Sequence, residues 1–135
     1  MSIRLEGVTK AYPTGVRALD SLDLQVNPGE IYALLGANGA GKTTTLHVLL
    51  GFIPMDGGSA SICGLDVSTE PVKVRDRVSY IPEQVNLYPQ LTGLENLDYI
   101  LSLGGHSKQP TELREDLQGV GLDQSAADRP TREYS

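Results

Sequence analysis

The fold is decided by residues 31–43, which read Ile-Tyr-Ala-Leu-Leu-Gly-Ala-Asn-Gly-Ala-Gly-Lys-Thr. The first five residues are a continuous apolar run of strand length. This predicts a strand over Ile31–Leu35 that is buried on both faces of a sheet. The residues after it fit the pattern G-x-x-x-x-G-K-[ST], and a helix is predicted over Lys42–Leu50. A buried strand, a glycine-rich loop and a helix therefore follow one another without a break.

The glycine-rich loop has the composition of a phosphate-binding loop. Gly36 and Gly41 allow backbone conformations that side chains forbid, and Gly39 lets the backbone lie close to an anion. Successive backbone N–H groups then point at a phosphate, and the positive end of the following helix adds to the attraction. The residues predicted to bind the nucleotide phosphates are Gly36, Asn38, Gly39, Ala40, Gly41, Lys42, Thr43 and Thr44.

Three side chains of this loop have specific predicted roles. The Lys42 ammonium is expected to reach the β- and γ-phosphates, and the Thr43 hydroxyl is expected to ligate Mg²⁺. The Thr44 hydroxyl can approach the α-phosphate. The pattern therefore predicts binding of a nucleotide together with Mg²⁺.

Length and composition limit the remaining possibilities. A chain of 135 residues with 39% hydrophobic residues is typical of at most one globular domain. The net charge of −6 argues against a nucleic-acid partner, because such partners usually require a basic surface. The lone cysteine, Cys63, cannot form an intrachain disulfide, which favours a reducing, cytosolic setting. No apolar run approaches the length of a membrane helix.

The flanking segments predict a β-rich first third and a helical last third. Alternating apolar residues in Ile3–Val8 and Ala18–Val26, with a Pro/Gly turn between them, predict an antiparallel strand pair. Thr92 and Glu95 have the spacing of a helix capping box. Further elements are predicted as strands over Ser59–Cys63 and Val78–Ile81 and as helices over Glu70–Arg77, Leu94–Leu103 and Gln109–Val120.

Four segments in order carry a resemblance to a known family: Lys10–Tyr12, the glycine loop, Tyr80–Thr92 and Thr131–Ser135. Together they resemble the N-terminal part of an ATP-binding cassette (ABC) ATPase, the motor subunit of ABC transporters. The resemblance covers essentially the whole chain. The guanine-reading motif N-K-x-D does not occur in it, which disfavours a GTPase.

The resemblance implies roles for residues outside the loop. Tyr12 would stack on adenine; the alternative is a strand-end tyrosine half-buried in the core. Gln84, or Glu83 in the usual register of the Q-loop, would contact Mg²⁺ and the attacking water; the alternative is a solvated loop pair. Ser135 would be the signature serine that donates to the γ-phosphate of ATP on the opposite subunit; the alternative is a polar tail.

Several motifs of the family do not occur in these residues. A Walker B aspartate with its catalytic glutamate and a switch histidine would come after Ser135, and neither His47 nor His106 replaces that histidine. The chain is therefore expected to be partial. The Ile31–Leu35 strand is expected to lack a partner and to expose an edge prone to aggregation. Such a chain is expected to be marginally stable and to hydrolyse ATP negligibly.

The predicted fold class is α/β, a P-loop NTPase core with an N-terminal antiparallel β subdomain and the start of a helical subdomain. Residues 1–91 are assigned to the nucleotide-binding core and residues 92–135 to the helical subdomain. The resemblance implies an ATP- and Mg²⁺-binding subunit of an ABC transporter that pairs head-to-tail with a second cassette. It would act on membrane permease subunits from the inner face of the cell membrane. The sequence of Pro82–Pro89 is similar to that of exporter subunits.

Two other interpretations stay open. One is a non-transport ABC ATPase that acts on nucleic acid or ribosomes, for which a basic arm or paired cassettes would be expected. The other is a nucleotide-binding module that does not hydrolyse ATP.

Overall fold

The structure, a computed structural model, describes residues 2–134. Two compact units divide the chain, one ending at Tyr80 and the other beginning at Ile81; they are named here the β unit and the helical unit. The β unit contains β1 (Ile3–Ala11), β2 (Arg17–Val26), α1 (Lys42–Leu49), β3 (Gly57–Ile62), β4 (Leu65–Asp66) and α2 (Pro71–Arg75). The helical unit contains α3 (Gly93–Leu103), α4 (Pro110–Gly119), α5 (Gln124–Ala127) and a 3₁₀ turn (Thr131–Glu133).

The β unit is built on a four-stranded antiparallel sheet in the order β2-β1-β3-β4. Leu5 of the central strand β1 lies opposite Leu24 in β2 and Ala60 in β3. The predicted strand pair is confirmed, and β1 runs three residues beyond its predicted end at Val8. The extension brings Ala11 to the end of the strand, directly before Tyr12.

One face of the sheet and helix α1 enclose the apolar core of the β unit. Leu5 and Val8 of β1 are both almost fully buried in this core, although they are three residues apart, because the strand shifts register between them. The other members of the buried cluster are Leu19, Val48, Leu49, Ala60, Ile62, Val67 and Val74. The core thus packs α1, the helix that follows the glycine loop, against the sheet through Val48 and Leu49.

Two predicted strands are wrong. Residues 31–35 and 78–81 lie outside every strand of the described chain. Ile31 is 101% exposed and Leu35 is 88% exposed, although a strand buried on both faces was predicted. A strand needs a neighbour to pair its backbone N–H and C=O groups, and no segment among residues 2–134 pairs with either run.

The helical unit confirms the predicted capping box. The Thr92 hydroxyl accepts from the Glu95 N–H at 3.1 Å, and the Glu95 carboxylate accepts from the Thr92 N–H at 2.8 Å. Helix α4 begins with one half of this arrangement, in which the Glu112 carboxylate accepts from the Gln109 N–H at 2.8 Å. The short elements β4, α5 and the 3₁₀ turn were not predicted. No helix within residues 2–134 combines the length and the apolar character needed to cross a bilayer.

Candidate functional site

The glycine loop is held in its conformation by backbone geometry. Gly39 and Gly41 have φ angles of 84° and 87°, a left-handed region that side chains disfavour. A Cβ atom at Gly41 would also overlap the Ala18 carbonyl oxygen and lie 3.0 Å from Leu19 Cδ2. Glycine is therefore required at position 41 both by the backbone angle and by the close approach of β2.

Lys42 closes the loop with its own side chain. The Lys42 ammonium donates to the carbonyl oxygens of Gly36 at 2.7 Å and of Ala37 at 2.8 Å. Within this span the Ala40 N–H donates to the Ala37 carbonyl at 3.1 Å, which forms a turn. Residues 36–40 are exposed, so the loop and one N–H of the ammonium remain accessible to a ligand.

The N-terminus of α1 is suited to an anion. Its N-cap is Gly41, and in the described chain no side chain caps it and no acidic residue occupies its first turn. The first intrahelical bond is that from the Thr45 N–H to the Gly41 carbonyl at 2.8 Å. The preceding amides, those of Lys42, Thr43 and Thr44, carry the positive end of the helix dipole. Helix α3 differs, because Thr92 and Glu95 already satisfy its first amides.

Tyr12 lies beside the start of α1. Its hydroxyl is 3.2 Å from the Thr44 hydroxyl, and either oxygen can be the donor. The backbone of Tyr12 begins a tight loop, in which its N–H donates to the Val16 carbonyl at 2.8 Å and its carbonyl accepts from the Gly15 N–H at 2.9 Å. The side chain is 37% exposed, which leaves part of the ring open for stacking.

The other predicted site residues lie elsewhere in the chain. Glu83 and Gln84 belong to the helical unit, where residues 81–91 form neither helix nor strand, and both side chains are exposed. Ser135 lies outside the described residues. The structure therefore brings Tyr12 next to Thr44, two residues after Lys42, in the β unit. The roles of these residues, like those of Glu83, Gln84 and Ser135, remain predictions.

The residues of the loop fit Mg²⁺ held through a nucleotide. The Thr43 side chain is exposed in the first turn of α1 and offers a hydroxyl oxygen. No group of three or more His, Cys, Asp or Glu residues that could hold a metal ion occurs among residues 2–134. Mg²⁺ commonly takes one or two protein oxygens and completes its shell with phosphates and water. A single hydroxyl beside a phosphate-binding loop matches that donor set.

Sequence reasoning missed one set of contacts close to Tyr12 in the chain, those of Asp56. Its carboxylate accepts from the Ala11 N–H at 2.6 Å and from the Lys10 ammonium at 2.9 Å. The sequence around it, Asp-Gly-Gly, indicates only a turn. Its partners lie 45 and 46 residues earlier in the chain, so no local pattern signals the contact.

The fold and the loop define the class of protein. A solved dimeric structure of MJ0796, a bacterial ABC transporter cassette, has a TM-score of 0.79 and 27% identity and covers 98% of this chain and 63% of that one. The same cassette bound to ADP and Pi has a TM-score of 0.78 and 26% identity, again covering 98% of this chain and 63% of that one. The predicted α/β P-loop NTPase class is thereby confirmed.

The family follows from the sequence comparison. A family model described as ABC transporter matches residues 19–135, and the chain belongs to this family. The daunorubicin/doxorubicin resistance ATP-binding protein DrrA of Streptomyces peucetius is 41% identical over 136 residues, covering 99% of this chain and 41% of its own. The linearmycin resistance ATP-binding protein LnrL of Bacillus subtilis is 32% identical over 130 residues, covering 94% and 41%. The chain thus spans about two fifths of these curated relatives.

Proposed function

We propose that this chain belongs to the ATP-binding subunit of an ABC exporter, which binds Mg-ATP and hydrolyses it to drive transport through a membrane permease. The observation that carries the proposal is the contact of Lys42 with the Gly36 and Ala37 carbonyls at the uncapped start of α1. It places a positive charge and free helix amides in one exposed loop. The names of the two resistance proteins described above support export rather than import.

In the proposed complex, the loop amides and the helix dipole bind the phosphate chain. Lys42 approaches the β- and γ-phosphates with the N–H that its two carbonyl contacts leave over. The Thr43 hydroxyl is proposed as a ligand of Mg²⁺, which neutralises phosphate charge when bound. The Thr44 hydroxyl is proposed to lie near the α-phosphate.

The base is proposed to stack on Tyr12. An aromatic face binds any base by stacking, at about 1–3 kcal/mol, and therefore gives affinity with modest selectivity. The hydroxyl contact with Thr44 supports this role, because it keeps the ring next to the proposed phosphate site. Tyr12 and the glycine loop both belong to the β unit, so this part of the proposal concerns residues of a single compact unit.

The remaining roles rest on the family. Gln84, or its neighbour Glu83, is proposed to contact Mg²⁺ and the attacking water, and Ser135 is proposed to donate to the γ-phosphate of ATP on a second cassette. Residues 1–91 are proposed as the nucleotide-binding core and residues 92–135 as the start of the helical subdomain that faces the permease. Head-to-tail pairing with a second cassette is proposed, and the dimeric cassette structure supports a dimer. The subunit is proposed to work at the inner face of the cell membrane.

The test is ATP affinity in the intact protein, measured by titration calorimetry with Mg²⁺ present. Lys42→Ala is expected to raise the Kd for ATP about 10- to 100-fold, because a charged hydrogen-bond donor to the phosphates is lost. Lys73→Ala is the matched control, since Lys73 is an exposed lysine of α2 paired with Glu70 and distant in sequence from the loop. Equal affinities of the Lys42→Ala variant and the unchanged protein would contradict the proposal.

A further inference from the structure

We propose that Asp56 is a positioning residue that holds Tyr12 in place for the adenine base; this rests on the proposed function. Asp56 itself touches neither the loop nor Tyr12's ring in any described contact. Asp56 holds the last residues of β1 in place, and through them it positions Tyr12, the residue that follows the strand.

The contacts of Asp56 replace a missing stretch of strand pairing. The β1–β3 ladder ends at the pair Thr9 and Gly57. Beyond that pair, the Asp56 N–H donates to the Thr9 carbonyl at 2.9 Å, and the Asp56 carboxylate accepts from the Ala11 N–H at 2.6 Å. One side chain thus pairs the edge of β1 up to the residue before Tyr12.

A charge pair strengthens this arrangement. The Lys10 ammonium donates to the second carboxylate oxygen at 2.9 Å, and the Lys10 side chain is only 12% exposed. The Ala11 N–H, and next the Lys10 ammonium, hold the pKa of the Asp56 carboxyl below its ordinary value. The carboxylate is therefore ionised at neutral pH and makes a charge-assisted bond to the backbone.

Besides its own tight loop with Gly15 and Val16, Tyr12 is then held at two further points. Asp56 fixes the backbone immediately before it, and the Thr44 hydroxyl lies within hydrogen-bond distance of its phenol oxygen. A ring that is fixed at both ends is already positioned for stacking. Binding of the base therefore costs little conformational entropy of the tyrosine side chain. Loss of Asp56 loosens the backbone before Tyr12 on the β3 side, and the tyrosine is then held by its bonds to Val16 and Gly15 and by the partly buried hydroxyl contact with Thr44.

The experiment compares two ligands on the intact protein, ATP and inorganic tripolyphosphate, which has the phosphate chain but no base. For Asp56→Ala, the Kd for ATP is expected to rise about fivefold to tenfold, while the Kd for tripolyphosphate stays unchanged. The ratio of the two Kd values cancels any loss of folded protein. Asp56→Asn should restore most of the ratio, because its amide oxygen still accepts from the Ala11 N–H. If the alanine variant does not fold, Asp56→Ser, too short to reach both donors, replaces it under the same criterion.

Asp23→Ala is the matched control. Its carboxylate also accepts from a backbone N–H of β1, that of Gly7 at 2.7 Å, but at the middle of the strand. It should leave the ratio unchanged. A second control places Asp56→Ala in a Tyr12→Leu background, where it should have no further effect on ATP affinity, since the two residues act in series.

Each of three results would overturn the proposal. They are an unchanged ratio of the two Kd values in Asp56→Ala, an equal change of this ratio in Asp23→Ala, and a further loss of ATP affinity when Asp56→Ala is added to Tyr12→Leu. An unchanged ATP affinity of the Tyr12→Leu variant would also overturn the proposal. This holds even if Lys42→Ala weakens the binding of both ligands, as the proposed phosphate loop predicts. Failure of the proposed function looks different, because Lys42→Ala would then bind both ATP and tripolyphosphate as the unchanged protein does.

Discussion

The β unit and the helical unit have different interiors. The β unit buries a contiguous cluster of aliphatic side chains between its sheet and α1. The helical unit buries few large apolar side chains, Leu113 being its main one, and places the polar Asn96 inside, 2% exposed. Apolar burial therefore stabilises the first unit, whereas directed hydrogen bonds carry more of the second.

Asn96 shows how the helical unit is held. Its amide oxygen accepts from the Tyr88 N–H at 2.8 Å, and its amide nitrogen donates to the carbonyls of Tyr88, Leu91 and Thr92 at 3.0–3.2 Å. The 3₁₀ turn closes on the same loop, since the Thr131 hydroxyl donates to the Tyr88 carbonyl at 2.9 Å. Several polar groups of residues 88–91, which form neither helix nor strand, are thus paired.

The largest effect is expected from the core of the β unit. Leu5→Ala should destabilise this 135-residue chain by about 2–5 kcal/mol, because it removes a buried side chain and leaves a cavity. Urea unfolding followed by circular dichroism measures the change. Leu35→Ala is the control of identical chemistry, and its 88% exposed side chain predicts almost no effect. Equal losses in the two variants would show that residues 31–35 are packed rather than exposed.

The next effect concerns the polar interior. Asn96→Ala should cost about 1–3 kcal/mol, because the Tyr88 N–H loses its acceptor and three carbonyls each lose one donor. Hydrogen exchange read by mass spectrometry should show faster exchange in residues 88–96 and 131–132 and no change in β1. Asn86→Ala, at an exposed asparagine of the same unit, is the control. Faster exchange spread evenly over both units would contradict the distinction between them.

Local chemistry explains what the sequence predicts well. The glycine loop, the Thr92–Glu95 capping box and the β1–β2 hairpin each depend on residues close together in the chain. Gly41 is required by its own backbone angle, and Thr92 accepts from a residue three positions later. Patterns of this kind need no knowledge of the rest of the fold.

Contacts between distant segments explain what the sequence does not predict. Ile31–Leu35 has the composition of a buried strand, yet burial depends on a neighbouring strand that the described residues do not supply. The sequence places Asp56 in a turn and Asn96 in a helix, but their hydrogen-bond partners can be identified only from the folded structure. The roles of Gln84, Glu83 and Ser135 come from family resemblance alone, because no local geometry defines them.

A smaller effect is expected at the start of α3. Thr92→Ala should destabilise the helical unit by about 1 kcal/mol, since the Glu95 N–H loses its side-chain acceptor. The amides of the first turn of α3 should exchange faster. Thr111→Ala, at an exposed position of α4, is the control. A comparable change at α1, whose N-cap is a glycine with no side-chain bond, would break the comparison between the two units.

The smallest effect is a change in acid sensitivity. The Thr92 N–H, and next the Thr92 hydroxyl, hold the pKa of the Glu95 carboxyl below its ordinary value of 4.5. A carboxyl whose pKa is lowered on folding stabilises the folded state fully above its ordinary pKa, and this contribution is lost as the pH falls through the lowered value. Protection of the α3 amides should therefore decrease between about pH 5 and pH 3.

Glu95→Gln should remove part of this acid-dependent decrease in the protection of the helical unit. The acid response of the β unit should stay unchanged, because this unit has its own carboxylates with lowered pKa values. They are Glu30, Asp56 and Asp66. Hydrogen exchange at several pH values, after correction for the intrinsic pH dependence of exchange, separates the two responses. Glu115→Gln, at an exposed carboxylate of α4, is the control and should keep the full decrease. If Glu95→Gln kept it as well, the capping carboxylate would contribute nothing, and the start of α3 would depend on Thr92 and Asn96 alone.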